Sequence, residues 1–184
     1  MRRPPDTTIE DIPRDLINEP LEWFFAEHYR HRQACRMMTE VAAAHVFDGE
    51  RITALVEFIR NDLALHIIDE EEDLFPLLRR RTLPEDEIED VLGRLSAEHK
   101  SDAVCAQVVR DHLEACLGRQ VAPGMVAEAR KAMQDFASQE LQHLALENAV
   151  VLPIARLRLT AKDLKGMSRR LAARRGMVLE AEVT

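Results

Sequence analysis

The chain has 184 residues, with 25 Lys and Arg against 33 Asp and Glu, and a net charge of −8. This length predicts one domain with a substantial core, because domains commonly hold about 100–200 residues. The acidic balance argues against non-specific binding to nucleic acid or to an anionic membrane, since such binding requires a basic face. We expect no secretory signal and no membrane span, and three cysteines without a pairing pattern favour the cytoplasm.

Apolar residues recur at intervals of three and four along four long stretches, a period typical of amphipathic helices. Few glycines and prolines interrupt these stretches, and no alternating strand pattern is found. Helix N-caps are predicted at Asn18, Asp48 and Thr82. In chain order, the predicted helices cover approximately residues 18–46, 49–81, 82–117 and 125–154.

Short connections between four long helices predict an all-α fold, an up-down-up-down antiparallel four-helix bundle with a short C-terminal helix. A capping box at Thr160 begins that last helix, which runs to Arg175. We divide the chain into an irregular N-terminal arm (1–17), the bundle (18–155) and a basic C-terminal helix and tail (156–184). Since the bundle is acidic, the basic helix is expected to dock on it or on a second subunit of a homodimer.

A doubled motif on the second and fourth predicted helices carries the chemistry. Each copy reads His-x-x-x-Glu with a proline ten residues after the histidine: His66, Glu70 and Pro76, then His143, Glu147 and Pro153. Residues four apart lie on one helix face, so each His and its Glu can reach one point. Imidazole nitrogens and carboxylates are ligands that iron, zinc and manganese accept. We expect Pro76 to bend or end its helix locally.

The first and third predicted helices each add one histidine that follows a glutamate: Glu27-His28 and Glu98-His99. Counting from the connections, at about 1.5 Å per residue, places all four histidines within roughly one turn of the same level. Any single histidine could be a hydrogen-bonded core residue, but buried His and Glu in this number would be costly without a metal. Six ligands could hold one ion; we favour two metals, because carboxylates in bundles commonly bridge a pair.

These motifs resemble the hemerythrin-like (HHE cation-binding) domains, four-helix bundles with a non-haem di-iron centre, over about residues 18–155. The resemblance implies two iron ions joined by carboxylate and oxo bridges, with zinc or manganese less favoured. By similarity, the iron ligands are His28, His66, Glu70, His99, His143 and Glu147, of which Glu70 and Glu147 bridge. Oxygen carriers of the family place another histidine where this chain has Ala103. A fifth imidazole is therefore missing from this chain unless His31 supplies it. This departure points toward bacterial relatives with four His and two Glu.

We therefore expect a non-haem di-iron-binding protein that binds or reacts with oxygen, nitric oxide or peroxide, in sensing, redox chemistry or iron-centre repair. One alternative is an iron-storing or metal-responsive binding protein without turnover. Another is a helical interaction module whose polar core only fixes helix register. The sequence leaves open whether the protein is an enzyme.

Three further expectations concern side chains near the proposed ligands. Asp62 and Glu140, each one turn before a ligand histidine, are candidate hydrogen-bond partners for these imidazoles, although a surface role is an equal alternative. In the acidic run 69–73, only Glu70 is expected to face inward, with the other four carboxylates solvated. His31 is expected at the surface if it is not a ligand.

Overall fold

A computed structural model describes residues 8–179, and within this range the chain forms helices and turns without a β-strand, which confirms the all-α prediction. No helix in the described range is long and apolar enough to cross a membrane. In chain order, the helices are α1 (Pro20–Ala43), α2 (49–81), α3 (Glu89–Arg119), α4 (127–158) and α5 (Ala161–Arg174). Short 3-10 turns lie at Arg14–Asn18, Pro84–Asp86 and Pro123–Met125.

The first four helices close a ring of contacts, because α1 packs against α2 and α4, and α3 packs against the same two helices. Such a ring is what a four-helix bundle requires. Helix α5 packs against α1 and against residues 70–74 of α2. Of the two docking places expected for the basic helix, its own bundle or a second subunit, the structure shows contact with its own bundle.

Two apolar clusters fill the bundle and leave a polar layer between them. On α1, Phe24 belongs to one cluster, called the first, and Ala34 belongs to the other, called the second. On α2 the order is reversed, because residues up to Leu63 belong to the second cluster and those from Leu74 belong to the first. The order reverses again on α3 and on α4. Each of these four helices therefore passes from one cluster to the other and crosses the polar layer between them.

Several predicted boundaries are wrong at the residue level. Helix α1 follows Glu19 and not a cap at Asn18, and it ends at Ala43 instead of near Val46. Thr82 does not cap the third helix, because its hydroxyl donates to the carbonyl of Leu78 at 2.9 Å. Two further ends lie beyond their predicted positions, with α3 reaching Arg119 and α4 reaching Arg158.

Two other caps are confirmed. Oδ1 of Asp48 accepts from the backbone N–H of Arg51 at 3.2 Å, and Thr160 forms a capping box with Asp163. In the predicted irregular arm, Arg14–Asn18 forms a 3-10 turn that buries Ile17, so this part of the arm is ordered against the bundle. Residues 1–7 of the arm and 180–184 of the tail lie outside the described residues.

Candidate metal centre

The structure brings the six predicted ligand residues together in the polar layer between the two apolar clusters. Each is at most 5% exposed. Their ligand atoms form two groups, each with all atoms within 4.8 Å of one another. The groups are His28, His66, Glu70 and Glu147, and Glu70, His99, His143 and Glu147. The two glutamates therefore belong to both groups, and two histidines belong to each.

The glutamate oxygens lie close to the Nε2 atoms of histidines from both groups. Oε2 of Glu70 lies 3.6 Å from Nε2 of His66 and 3.2 Å from Nε2 of His99. Glu147 points Oε2 at Nε2 of His28 (3.5 Å) and Oε1 at Nε2 of His143 (2.9 Å). The Nε2 atoms of His99 and His143 are 3.0 Å apart. Nitrogen and oxygen atoms that converge in this way can share one cation per group.

Local helix geometry at the two prolines accompanies this orientation of the glutamates. Glu70–Leu74 forms a π-helical turn in which the N–H of Phe75 bonds to the carbonyl of Glu70, five residues earlier. Pro76 follows directly; it has no N–H to donate and its ring excludes a normal helical carbonyl four residues back. The second copy repeats this arrangement at Glu147–Val151, Leu152 and Pro153. The predicted perturbation at Pro76 is therefore a π turn in a helix that continues, and π turns commonly mark functional sites.

Each ligand histidine is oriented from the neighbouring helix by a residue adjacent in sequence to another ligand. The Nδ1–H groups donate to carboxylate or amide oxygens: His66 to Glu27 (3.1 Å), His99 to Glu71 (2.7 Å), His143 to Glu98 (3.1 Å) and His28 to Asn148 (3.0 Å). The acceptors lie on α1, α2, α3 and α4 in turn, so the four bonds run once around the bundle. Because Nδ1 carries the proton, Nε2 keeps its lone pair for a metal.

Sequence reasoning considered other residues for this orienting role. Asp62 pairs with Arg30 at 2.5 Å, and Glu140 accepts from Nδ1 of His31 at 2.6 Å, so neither contacts its proposed ligand histidine in this way. A signal for two of the true acceptors was present in the adjacent Glu-His pairs on α1 and α3. Neighbouring helical residues are rotated by about 100°, so one faces the centre while the other faces the next helix.

The environments of His31 and of the acidic run differ from the sequence expectations, and that of Ala103 shows which side of α3 this position occupies. His31 is buried, with its ring centroid 4.5 Å from that of His66, although it belongs to neither group of ligand atoms. Ala103 is exposed, and Asp102 lies on the buried side of α3 instead. Within the acidic run, Asp69 and Asp73 are buried and not solvated, because α5 covers them.

The charges around the histidines and their burial shift the histidine pKa values in opposite directions. Burial lowers the pKa of His66, but the Glu70 and Glu27 carboxylates outweigh it and raise the pKa to about 10. Burial also lowers the pKa of His143, but the Glu147 carboxylate outweighs burial and raises this pKa to about 10. At His28, burial and the charge of His66 lower the pKa to about 3. Cations bound at this centre would replace protons on the ligand nitrogens.

The residues present fit a metal centre. Among the described residues, six buried ligand atoms have no hydrogen-bond partner: Nε2 of His28 and His66, both carboxylate oxygens of Glu70 and both of Glu147. Leaving a buried polar atom unpaired costs about 1–3 kcal/mol, so this number at one point calls for a ligand. The nitrogen and oxygen donors suit borderline cations such as iron, zinc or manganese.

Comparison with known proteins agrees with this geometry. The family model described as the hemerythrin HHE cation-binding domain matches residues 19–155. The matched region contains all six residues of the two groups. No curated protein and no solved structure matches the chain. The chain therefore belongs to the hemerythrin HHE cation-binding domain family.

Proposed function

We propose that the protein is a non-haem di-iron protein that binds or reacts with oxygen, nitric oxide or peroxide, in sensing, redox chemistry or iron-centre repair. The observation that carries the proposal is the sharing of Glu70 and Glu147 by both groups of ligand atoms. Two carboxylates common to two clusters of histidine nitrogens favour a bridged pair of ions over a single ion.

The donor count supports a small ligand at this centre. Each group offers two imidazoles and two shared carboxylates, which is fewer than the six donors that octahedral ions take. Bound iron would supply redox chemistry toward oxygen, nitric oxide or peroxide. The chain itself holds the imidazoles in the correct tautomer and provides apolar walls, since the Phe75 ring stacks on His99 and the Phe24 ring meets His66 edge-on.

Two observations narrow the proposed role. The exposure of Ala103 on α3 means that this position does not face the centre, and His31 is held by Glu140 outside both groups. The set of four histidines and two glutamates therefore argues against reversible oxygen carriage. The three free cysteines in the described range agree with a cytoplasmic protein, where thiols stay reduced.

A metal-responsive or iron-storing protein without turnover is the second candidate. It is favoured by the six buried atoms without partners, because their occupation by metal would itself set the stability of the bundle. In that case, metal removal changes stability while the reduced protein shows no reaction with a small ligand.

The first test is metal analysis of protein purified without added metal, together with an absorption spectrum in air. We expect close to two irons per chain and near-ultraviolet charge-transfer bands, and zinc alone would contradict the redox proposal. His66→Ala and Glu147→Ala are expected to abolish iron retention; unchanged iron in both variants refutes the ligand assignment. Mixing the reduced protein with oxygen or nitric oxide then separates reaction from storage.

A further inference from the structure

Arg175, the residue directly after α5, lies outside the family-matched region 19–155 and contacts the carboxylate that orients a predicted ligand. Nη2 of Arg175 donates to Oε1 of Glu27 and to Oδ2 of Asp69, each at 2.6 Å. The other oxygen of Glu27 accepts from Nδ1 of His66 at 3.1 Å. A continuous series of hydrogen bonds therefore runs from Arg175, in the C-terminal segment that follows the family-matched region, through Glu27 to the imidazole ring of the predicted ligand His66.

Arg175 is held in a defined geometry. Its guanidinium lies over the Trp23 ring, 5.0 Å from the centroid, and Nη1 donates to the carbonyl of Leu171 at 3.1 Å. The side chain is 13% exposed, and Asp69 is fully buried. A guanidinium that bonds two buried carboxylates is a strong and directional contact, unlike an exposed ion pair.

This support reaches one of the two groups of ligand atoms. Within the described range, the corresponding acceptors of the other group are steadied differently, Glu71 by the hydroxyl of Ser96 at 3.0 Å and Glu98 by Arg94 at 2.7 Å. Arg94 is 64% exposed. The acceptor of His28 is the neutral amide of Asn148. Only Glu27 is a buried acceptor bonded to an arginine from the C-terminal segment.

We propose that Arg175 is a positioning residue that acts through Glu27 on His66. It thereby controls the metal position in the group that contains His28 and His66, but not the one in the group that contains His99 and His143. Without the guanidinium, Glu27 loses its compensating charge and its fixed orientation, and the Nδ1–H of His66 loses a well-placed acceptor. Loss of such outer partners typically lowers metal affinity by about 10–100-fold. The inference rests on the metal centre of the proposed function and not on its ligand chemistry.

The test is a Co²⁺ titration of the full chain, followed by absorption and by calorimetry, which report how many ions bind and how tightly. The variants are Arg175→Gln, Glu27→Gln and the control Arg169→Gln, which lies exposed on α5. We expect two equivalents in the unaltered protein and in the control. In Arg175→Gln, one equivalent keeps its affinity and the other weakens by about 10–100-fold. Glu27→Gln gives the same selective loss, and the double variant adds little to it.

Two outcomes overturn the proposal. One is an Arg175→Gln protein that binds both ions as the unaltered protein does; the other is an equal weakening of both ions, which indicates a general structural effect. If Arg175→Gln does not fold, Arg175→Lys carries the test, because it keeps the charge but lacks the second nitrogen that bonds the Leu171 carbonyl and the planar group that lies over Trp23. The same selective loss is expected of it, and equal or no weakening overturns the proposal. An unaltered protein that binds no Co²⁺ refutes the metal centre itself, and this result is distinct from a failure of the variants alone.

Discussion

Substitution of Glu70 by Gln tests the shared-carboxylate arrangement most directly. Glu70 is fully buried, contributes to both groups of ligand atoms and begins a π-helical turn. Gln has nearly the same shape, so packing is retained while an anionic ligand is removed from both metal positions. The matched control is Glu72→Gln, on the same turn, where the side chain is 63% exposed and pairs with Arg174 at 2.9 Å.

The expected magnitude follows from mass action. Metal at about 100 times its dissociation constant stabilises the fold by about 2.7 kcal/mol per site, or about 5 kcal/mol for two sites. For a chain of this size, 1 kcal/mol shifts Tm by about 2–4 °C. Excess metal should therefore raise the Tm of the unaltered protein by roughly 10–20 °C. Glu70→Gln should remove most of this rise, and Glu72→Gln should keep it, because exposed ion pairs contribute about 0–1 kcal/mol.

The assay is thermal unfolding, followed by far-ultraviolet circular dichroism, of each protein with chelator and with excess Fe²⁺ under nitrogen. Comparing the two curves of one variant separates metal binding from any change in intrinsic stability. A Glu70→Gln protein with the full metal-induced rise in Tm would refute the reasoning. An equal loss of the rise in Glu72→Gln would show that the effect belongs to the acidic turn as a whole.

Three other predictions address protonation, ligand strength and packing. The pKa of His66 is raised from 6.5 to about 10, so its protonated form stabilises the fold below pH 6.5 and this contribution is lost as the pH rises toward 10. The pKa of Glu27 is lowered from 4.5 to about 2, so its ionised form stabilises the fold above pH 4.5 and this contribution is lost as the pH falls toward 2. Chelated protein should thus be more stable at about pH 6.5 than at about pH 9 in urea unfolding, and it should lose stability below about pH 4.5; stability that climbs from pH 6.5 to 9 would contradict this. Asn148→Asp gives its histidine partner a stronger acceptor, so one Co²⁺ equivalent should bind about 10-fold tighter by calorimetry, and unchanged affinity would count against the ring of acceptors. Leu171→Ala on α5 should lower the unfolding free energy by about 2–5 kcal/mol, whereas Leu157→Ala, 71% exposed, should change it by less than about 0.5 kcal/mol.

The amino-acid sequence was sufficient for the helical fold and for the six residues that meet in the polar layer. Both depend on short-range periodicity: residues four apart share one helix face, and the two prolines repeat at one distance from their histidines. The Asp48 and Thr160 caps are equally local, and both are confirmed. Thr82 failed as a cap because its hydroxyl bonds backward into the preceding helix.

Other features of the centre depend on which helices become neighbours, and only the tertiary structure decides them. Glu27 orients His66 because α1 lies beside α2, and Asp69 is buried because the C-terminal segment covers it with arginine side chains. The sequence shows these residues as charged positions on helix surfaces, where solvation is the ordinary expectation. Their roles arise from contacts between residues far apart in the chain, since a carboxylate leaves water only where a distant cation or imidazole proton compensates its charge.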